Sequence, residues 1–167
     1  MKGSNMSFCK KALILSVSLM SSAAFADEAS QEGFYLGLKA GSLIIDVSGI
    51  DNATMLGFQA GYDMGNNWSV EFEYTAGEAE AGSTDVDATN TAVYTTYRSA
   101  YVRGYFLGKV GFLKEELDGG GVSESDTGLS YGLGSGFNVN KQFAIEAEYT
   151  IVEEDADLFA VTARMKF

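Results

Sequence analysis

The sequence has almost none of the residue types on which most enzyme active sites and metal centres depend. There is no histidine, no proline and one cysteine among 167 residues. The lack of histidine excludes the common hydrolytic triads and most zinc sites, and one thiol cannot form an internal disulfide. The lack of proline is typical of a chain whose backbone N–H groups are used in strands. We therefore expect a protein that is not an enzyme and that holds no cofactor or metal centre.

The first 26 residues have the composition of a cleaved secretory signal peptide. Three lysines and no acidic residue lie in this segment, residues 12–19 are apolar, and an A-x-A tripeptide ends at Ala26. The apolar run is shorter than the roughly 20 residues that a membrane-spanning helix needs, although an uncleaved anchor is the alternative. Cleavage after Ala26 would remove Cys9 and leave residues 27–167 as one domain of 141 residues.

Basic residues are scarce. The chain has 11 Lys and Arg against 23 Asp and Glu, and three of the lysines lie in the predicted signal peptide, so the remaining domain carries a net charge of −15. An acidic domain is a poor binder of nucleic acid, because contacts with phosphate need a basic face. The content of 46% apolar and 13% aromatic residues is too high for a disordered acidic chain. We expect a folded domain without a nucleic-acid partner.

The dominant pattern is an alternation of apolar and polar residues that recurs eight times after residue 31, without a convincing helical period. It is clearest where Trp68, Val70, Phe72 and Tyr74 alternate with Ser, Glu and Thr. The predicted strands lie at about 34–41, 54–62, 68–76, 91–99, 105–113, 128–137, 143–149 and 158–167, and the facing of the fourth is ambiguous. Strands of about nine residues are long enough to cross a bilayer when tilted. The pattern predicts an all-β fold, an eight-stranded antiparallel up-and-down transmembrane β-barrel.

The predicted connections differ in length at the two ends of the barrel. Those at 63–67, 100–104 and 138–141 are short, whereas those at 42–53, 77–90, 114–127 and 151–157 are mostly longer. In an antiparallel barrel all the short connections lie at one end. This asymmetry is typical of outer-membrane barrels, which have tight periplasmic turns and longer outer loops.

The alternation alone also fits a water-soluble barrel with its apolar side chains inside. Three features favour lipid on the outside: the asymmetry of the connections, a polar face rich in glycine, and aromatic residues near the strand ends. The predicted interface aromatics are Trp68, Tyr74, Phe137 and Tyr149.

With lipid outside, the polar faces line the lumen and bring charges of both signs together. The predicted ion-pair network consists of Lys39, Glu71, Glu73, Lys109, Glu146, Glu148, Arg164 and Lys166. Two similar hairpins contribute the glutamates, each ending in E-x-E-Y-T. The interior of an eight-stranded barrel is just wide enough to be filled by side chains, so we expect no sizeable channel. A narrow path for ions or small solutes is the alternative.

Three stretches resemble the small OmpA/OmpX-type, porin-like and opacity-type outer-membrane barrels: YFLGKVGF at 105–112, LSYGLGSGF leading into FAIEAEYT at 129–150, and AVTARMKF at 160–167. The resemblance implies a bacterial outer-membrane location and a structural or cell-surface role. It also implies that the barrel-assembly machinery recognises the last strand through Phe167, with Met165 and Val161 on the same face.

The predicted outer loops are strongly acidic, and lipopolysaccharide is the expected neighbour of such loops. Their acidic residues are Asp46, Asp51, Glu78, Glu80, Asp85, Asp87, Glu115, Glu116, Asp118, Glu124, Asp126, Glu153, Glu154, Asp155 and Asp157. A solvated, repulsive surface explains this composition. Clustered carboxylates are also the ligands of divalent cations such as Ca²⁺ and Mg²⁺, but no EF-hand spacing is present. Both interpretations stay open.

Overall fold

The computed structural model describes residues 32–45, 52–81, 84–101, 104–119, 122–153 and 156–167. Its strands are β1 (Glu32–Ile45), β2 (Ala53–Met64), β3 (Trp68–Ala81), β4 (Thr84–Tyr101), β5 (Gly104–Gly119), β6 (Val122–Asn138), β7 (Phe143–Glu153) and β8 (Ala156–Lys166). The predicted signal peptide lies outside the described residues. Among those residues, we find no helix with the length and apolar character to span a bilayer.

The strands form one closed sheet. Each strand pairs antiparallel with its neighbour in sequence, and β8 pairs with β1. Closure leaves no open sheet edge, which a spanning sheet requires because lipid offers no hydrogen bonds to backbone groups. The predicted eight-stranded antiparallel up-and-down barrel is confirmed.

The strands are longer than the sequence pattern predicts, and the predicted long loops are largely wrong. Residues 77–81 and 84–90 are paired strand, as are residues 114–119 and 122–127. These segments lack the outward apolar alternation because they lie beyond the apolar band, where the outer face is polar and the inner face mixes Ala88 and Leu117 with polar side chains. Backbone pairing continues there, because it satisfies N–H and C=O groups whatever side chains they carry. Of the connection predicted at residues 42–53, residues 42–45 belong to β1 and residues 46–51 lie outside the described residues.

The barrel wall places its apolar side chains outside and its charges inside. Leu133 and Phe34 are 73% and 68% exposed, whereas Glu71 and Lys109 are 1% and 4% exposed. This is the reverse of a soluble barrel and fits a wall embedded in lipid. The lipid-facing assignment made from the sequence is therefore confirmed.

Short turns mark one end of the barrel. The turn between β2 and β3 spans residues 65–67, where Gly65 and Asn67 have φ angles of 79° and 70°. Between β6 and β7, Asn140 Oδ1 accepts hydrogen bonds from the backbone N–H groups of Gln142 and Phe143, each at 2.8 Å. The start of β1 and the end of β8 lie at the same end, which is the periplasmic end in barrels of this kind.

The structure resolves the ambiguous facing of the fourth strand. Tyr94, Thr96 and Arg98 are buried in the lumen, whereas Val93 and Tyr97 are exposed on the outer wall. Aromatic residues occupy both faces of β4, so the hydrophobic pattern could not assign them.

Candidate functional site

The lumen is filled by side chains at three levels, which we name from the periplasmic end. The arginine cluster is built around Arg98, with Tyr35, Ser69, Glu71, Tyr105, Glu146 and Arg164. The lysine–glutamate ring consists of Lys39, Glu73, Lys109 and Glu148. The apolar plug comprises Leu43, Ala53, Met55, Ala88, Ala92, Tyr94, Leu113, Val152, Leu158 and Ala160.

Arg98 binds across the lumen to strands on both sides. Its Nε donates to Glu146 Oε1 at 3.0 Å, and its Nη2 donates to Glu71 Oε2 at 3.0 Å. Its Nη1 donates to Ser69 Oγ at 2.6 Å. The planar guanidinium has donors fixed in a fork, so one side chain can satisfy carboxylates on β3 and β7 together.

Glu146 is the most heavily bonded carboxylate of the cluster. Besides Arg98, it accepts hydrogen bonds from the Tyr105 hydroxyl at 2.6 Å and from Gln59 Nε2 at 3.1 Å. Its Oε1 also lies 3.3 Å from Arg164 Nε. Several donors are needed, because a buried carboxylate without partners would strongly destabilise the fold.

The lysine–glutamate ring alternates two cations and two carboxylates. Lys39 Nζ lies 2.7 Å from Glu73 Oε1 and 3.2 Å from Glu148 Oε2. Lys109 Nζ lies 2.7 Å and 2.6 Å from the same two oxygens. Each charge therefore has two opposite neighbours. Lys109 Nζ also stands 4.5 Å from the centre of the Tyr94 ring, at the boundary with the apolar plug.

Two glycines make room for the tyrosines of the arginine cluster. A Cβ atom at Gly61 would collide with the ring of Tyr35, and one at Gly136 would collide with the ring of Tyr105. Any larger residue would displace these rings, whose hydroxyls bond Glu71 and Glu146. This close approach explains part of the glycine-rich inner face seen in the sequence.

The structure brings seven of the eight predicted network residues into these two charged levels. Lys166 lies at the periplasmic mouth instead, where its Nζ is 2.9 Å from Asp63 Oδ2. Sequence reasoning missed Arg98, the tyrosines and the whole apolar plug. Arg98 and Tyr94 were hidden by the ambiguous facing of β4, and most other plug residues lie in segments that were assigned to loops or strand ends.

The other predicted residues lie on the outer wall or at its edges. Val161 and Phe167 are exposed, and the Phe167 backbone N–H donates to the Phe34 carbonyl at 2.9 Å, beside the seam of β8 and β1. Met165 is half-buried on the same strand. Among the predicted interface aromatics, Trp68, Phe137 and Tyr149 are exposed and Tyr74 is half-buried. Trp68 packs against Tyr97 with ring centres 4.9 Å apart.

Within the described part of the chain, no group of three or more His, Cys, Asp or Glu side chains is arranged to hold a metal ion. All four glutamates of the two charged levels contact lysine or arginine. In this arrangement they serve as counter-charges to buried cations.

The family comparison supports the same architecture. A family model described as the outer membrane protein beta-barrel domain matches residues 12–167. No curated protein matches the chain.

Solved structures of bacterial outer-membrane proteins share the fold. The Neisserial surface protein A, NspA, is similar with a TM-score of 0.63 and 20% identity, over 81% of this chain and 97% of that chain. The N-terminal β-barrel domain of Pseudomonas aeruginosa OprF has a TM-score of 0.61 and 15% identity, over 82% and 100%. Yersinia pestis Ail, in complex with the heparin analogue sucrose octasulfate, has a TM-score of 0.53 and 20% identity, over 81% and 96%.

Proposed function

This chain belongs to the outer membrane protein beta-barrel domain family, and from that premise we propose that it is a sealed barrel with a structural or cell-surface role. It resides in the bacterial outer membrane. Its outer wall anchors it in lipid, and its outer hairpins contact lipopolysaccharide and the surroundings. Its lumen conducts neither ions nor small solutes, and it catalyses no reaction.

The apolar plug is the observation that carries this proposal. Its ten buried members come from all strands except β3 and β6 of the described barrel. An ion crossing the plug would lose most of its hydration against side chains that are mainly apolar, which is unfavourable. On the periplasmic side of the plug, the lysine–glutamate ring adds a second barrier. Each of its charges is already paired with two opposite charges of the ring.

A narrow pore is the alternative, and the periplasmic mouth favours it in part. A cavity of about 160 Å³ opens there, lined by residues that include Asp63, Asn67, Arg98, Arg164 and Lys166. This vestibule ends at the arginine cluster. A pore would require Arg98 to leave both glutamates and the apolar plug to open.

Conductance in planar bilayers tests the proposal. We expect purified barrel to leave the membrane silent, with insertion verified on the same preparation by protection of the strands from protease. Stepwise unitary currents from verified, homogeneous barrel would contradict the sealed lumen and favour the pore.

The outer hairpins carry exposed negative charges, which are expected to repel polyanions. Glu78 pairs with Asp87 across β3 and β4, and Asp87 pairs with Asp118 across β4 and β5, so three exposed carboxylates lie side by side on the outer face. The polyanion seen with Ail is therefore not expected to bind here.

Retention on immobilised heparin tests this difference. We expect the detergent-solubilised barrel to pass through at physiological salt, because its exposed row is negative. A triple variant, Glu78→Lys with Asp87→Lys and Asp118→Lys, is expected to be retained. Retention of the unaltered protein would contradict the proposal.

A further inference from the structure

A second row of polar side chains crosses the same hairpins on the inner face. Thr75 pairs with Asn90, Asn90 with Glu115, and Glu115 with Asp126, on four consecutive strands. These residues follow the inward alternation of their strands, since Glu73, Ala92 and Leu113, each two residues away, and Ser130, four residues from Asp126, are buried in the lumen. The row lies near the outer mouth of the barrel, and none of its four residues is a cation.

Asn90 is the unusual member of this row. It is 3% exposed, yet neither its Oδ1 nor its Nδ2 has a hydrogen-bond partner. Its neighbours along β4 on the same face are Ala88 and Ala92, which offer no polar side chain. A buried amide without partners is unfavourable, and a cation bound by its carbonyl oxygen would offset part of this cost.

Two carboxylates follow Asn90 along the row: Glu115 faces it across β4 and β5, and Asp126 faces Glu115 across β5 and β6. Glu115 is 7% exposed, and Asp126 Oδ1 accepts a hydrogen bond from the Thr127 backbone N–H at 2.7 Å, which orients its side chain. Side chains that face each other on neighbouring strands have Cβ atoms about 5 Å apart, and inward-pointing ones converge toward the barrel axis. Glu115, in the middle of the row, can therefore share a ligand with Asn90 on one side and Asp126 on the other.

We propose that Asn90, Glu115 and Asp126 form a binding site for one divalent cation, with Ca²⁺ preferred, inside the outer mouth of the barrel. Carboxylate and amide oxygens at about 2.3–2.6 Å are the ligands that Ca²⁺ takes in proteins. Ca²⁺ accepts irregular geometry and completes its coordination with water. Asp126 is exposed, so the site is open to water on that side. Mg²⁺ is expected to bind more weakly, because it demands a near-ideal octahedron.

Such a site would tie together the strands that carry most of the acidic charge. The cation would connect β4, β5 and β6 on the inner face, while Glu78, Asp87 and Asp118 repel one another on the outer face. Binding is therefore expected to stabilise these hairpins in the crowded negative field of lipopolysaccharide. The inference does not depend on whether the lumen conducts.

Calorimetric titration of Ca²⁺ into the full barrel, refolded in detergent and stripped with a chelator, tests the site. We expect saturable binding with one ion per barrel. Glu115→Gln is expected to weaken the affinity at least about tenfold, because it removes a charged ligand. Asp118→Asn is the matched control: it removes one charge from the same strand but on the outer face, and we expect less than about a twofold change.

Asn90 provides the decisive variants. Asn90→Leu is expected to weaken Ca²⁺ binding at least about tenfold, whereas Asn90→Asp adds a carboxylate and is expected to strengthen it. The gain-of-affinity variant keeps the test valid if Asn90→Leu misfolds. Equal losses from Glu115→Gln and Asp118→Asn would show diffuse screening and overturn the site. No binding by the unaltered barrel, or no gain of affinity in Asn90→Asp, would also overturn it.

Discussion

At the scale of single residues, Arg98 is the side chain on which the hydrogen bonding of the arginine cluster depends most. It joins Glu71 of β3 to Glu146 of β7 through its Nη2 and Nε, and its Nη1 donates to Ser69. Its removal would leave two buried carboxylates with fewer donors. The neutral donors Tyr35, Tyr105 and Gln59 would remain, with Arg164 as a charged neighbour of Glu146, but Glu71 would keep no cation of this cluster.

We predict that Arg98→Met lowers the free energy of unfolding by about 3–5 kcal/mol, the usual cost of breaking a buried ion pair on one side. Urea unfolding in lipid vesicles, followed by tryptophan fluorescence of Trp68, measures this change. The matched control is Lys114→Met, whose ion pair with Glu116 is exposed and is expected to contribute less than about 1 kcal/mol. Equal effects of the two variants would show that the arginine cluster is not a structural centre.

At the scale of strands, two similar hairpins supply the interior charges in a paired manner. The E-x-E-Y-T segments lie within β3 and β7 and contribute Glu71 with Glu73, and Glu146 with Glu148. Glu71 and Glu146 share Arg98, whereas Glu73 and Glu148 share Lys39 and Lys109. Equivalent positions of the two hairpins thus contact the same cations. The similarity of the two hairpin sequences therefore corresponds to a pairing of their glutamates in the lumen.

A single charged substitution tests whether the outer face of β8 contacts lipid. Val161 lies at the middle of the strand, exposed on the outer wall between Ala40 and Ala147. We predict that Val161→Arg lowers the free energy of unfolding in a bilayer by about 2–4 kcal/mol, the cost of an arginine near the midplane.

Val139→Arg is the control for this prediction, because Val139 is exposed in the turn between β6 and β7 and outside the apolar band. We expect it to change stability by less than about 1 kcal/mol. If Val161→Arg were as mild as this control in equilibrium unfolding, the outer wall would not face lipid.

The end of β8 carries the proposed assembly signal. We predict that Phe167→Ala leaves export across the inner membrane intact but reduces insertion into the outer membrane, since Phe167 directly follows β8, the strand that closes the barrel. Phe137→Ala, at an exposed aromatic of the same end, is the control. Separating folded from unfolded barrel by heat-modifiable gel mobility measures insertion, and equal loss in both variants would argue against a specific signal.

How much the sequence could predict depended on the environment of each segment. Within the apolar band, lipid on one side and a crowded lumen on the other impose alternation, so the facing of β3 or β8 followed from residues such as Val70 and Arg164. Beyond the band that contrast disappears, and residues 77–90 were assigned to a loop although backbone pairing continues through most of them. The apolar plug was missed because Leu43, Met55 and Leu158 alternate weakly at strand ends.

At the scale of the whole molecule, the barrel combines an apolar exterior with a charge-balanced middle. The arginine cluster and the lysine–glutamate ring together hold four buried cations and four buried glutamates, namely Lys39, Arg98, Lys109 and Arg164 with Glu71, Glu73, Glu146 and Glu148. Balance at this depth avoids a net charge in a low-dielectric core. The acidic charge of the chain is therefore concentrated on the hairpins beyond the band.

The barrel described above requires lipid against its outer wall, and spin-label accessibility measures directly which medium touches that wall. With Cys9 removed, single cysteines at Phe159, Val161 and Ala163 of β8 and at Val139 of the turn would each carry a nitroxide in lipid vesicles. We predict that the three labels on β8 collide with oxygen dissolved in lipid and not with a water-soluble paramagnetic reagent, whereas the label at Val139 shows the reverse. Equal access of the water-soluble reagent to all four labels would contradict the account.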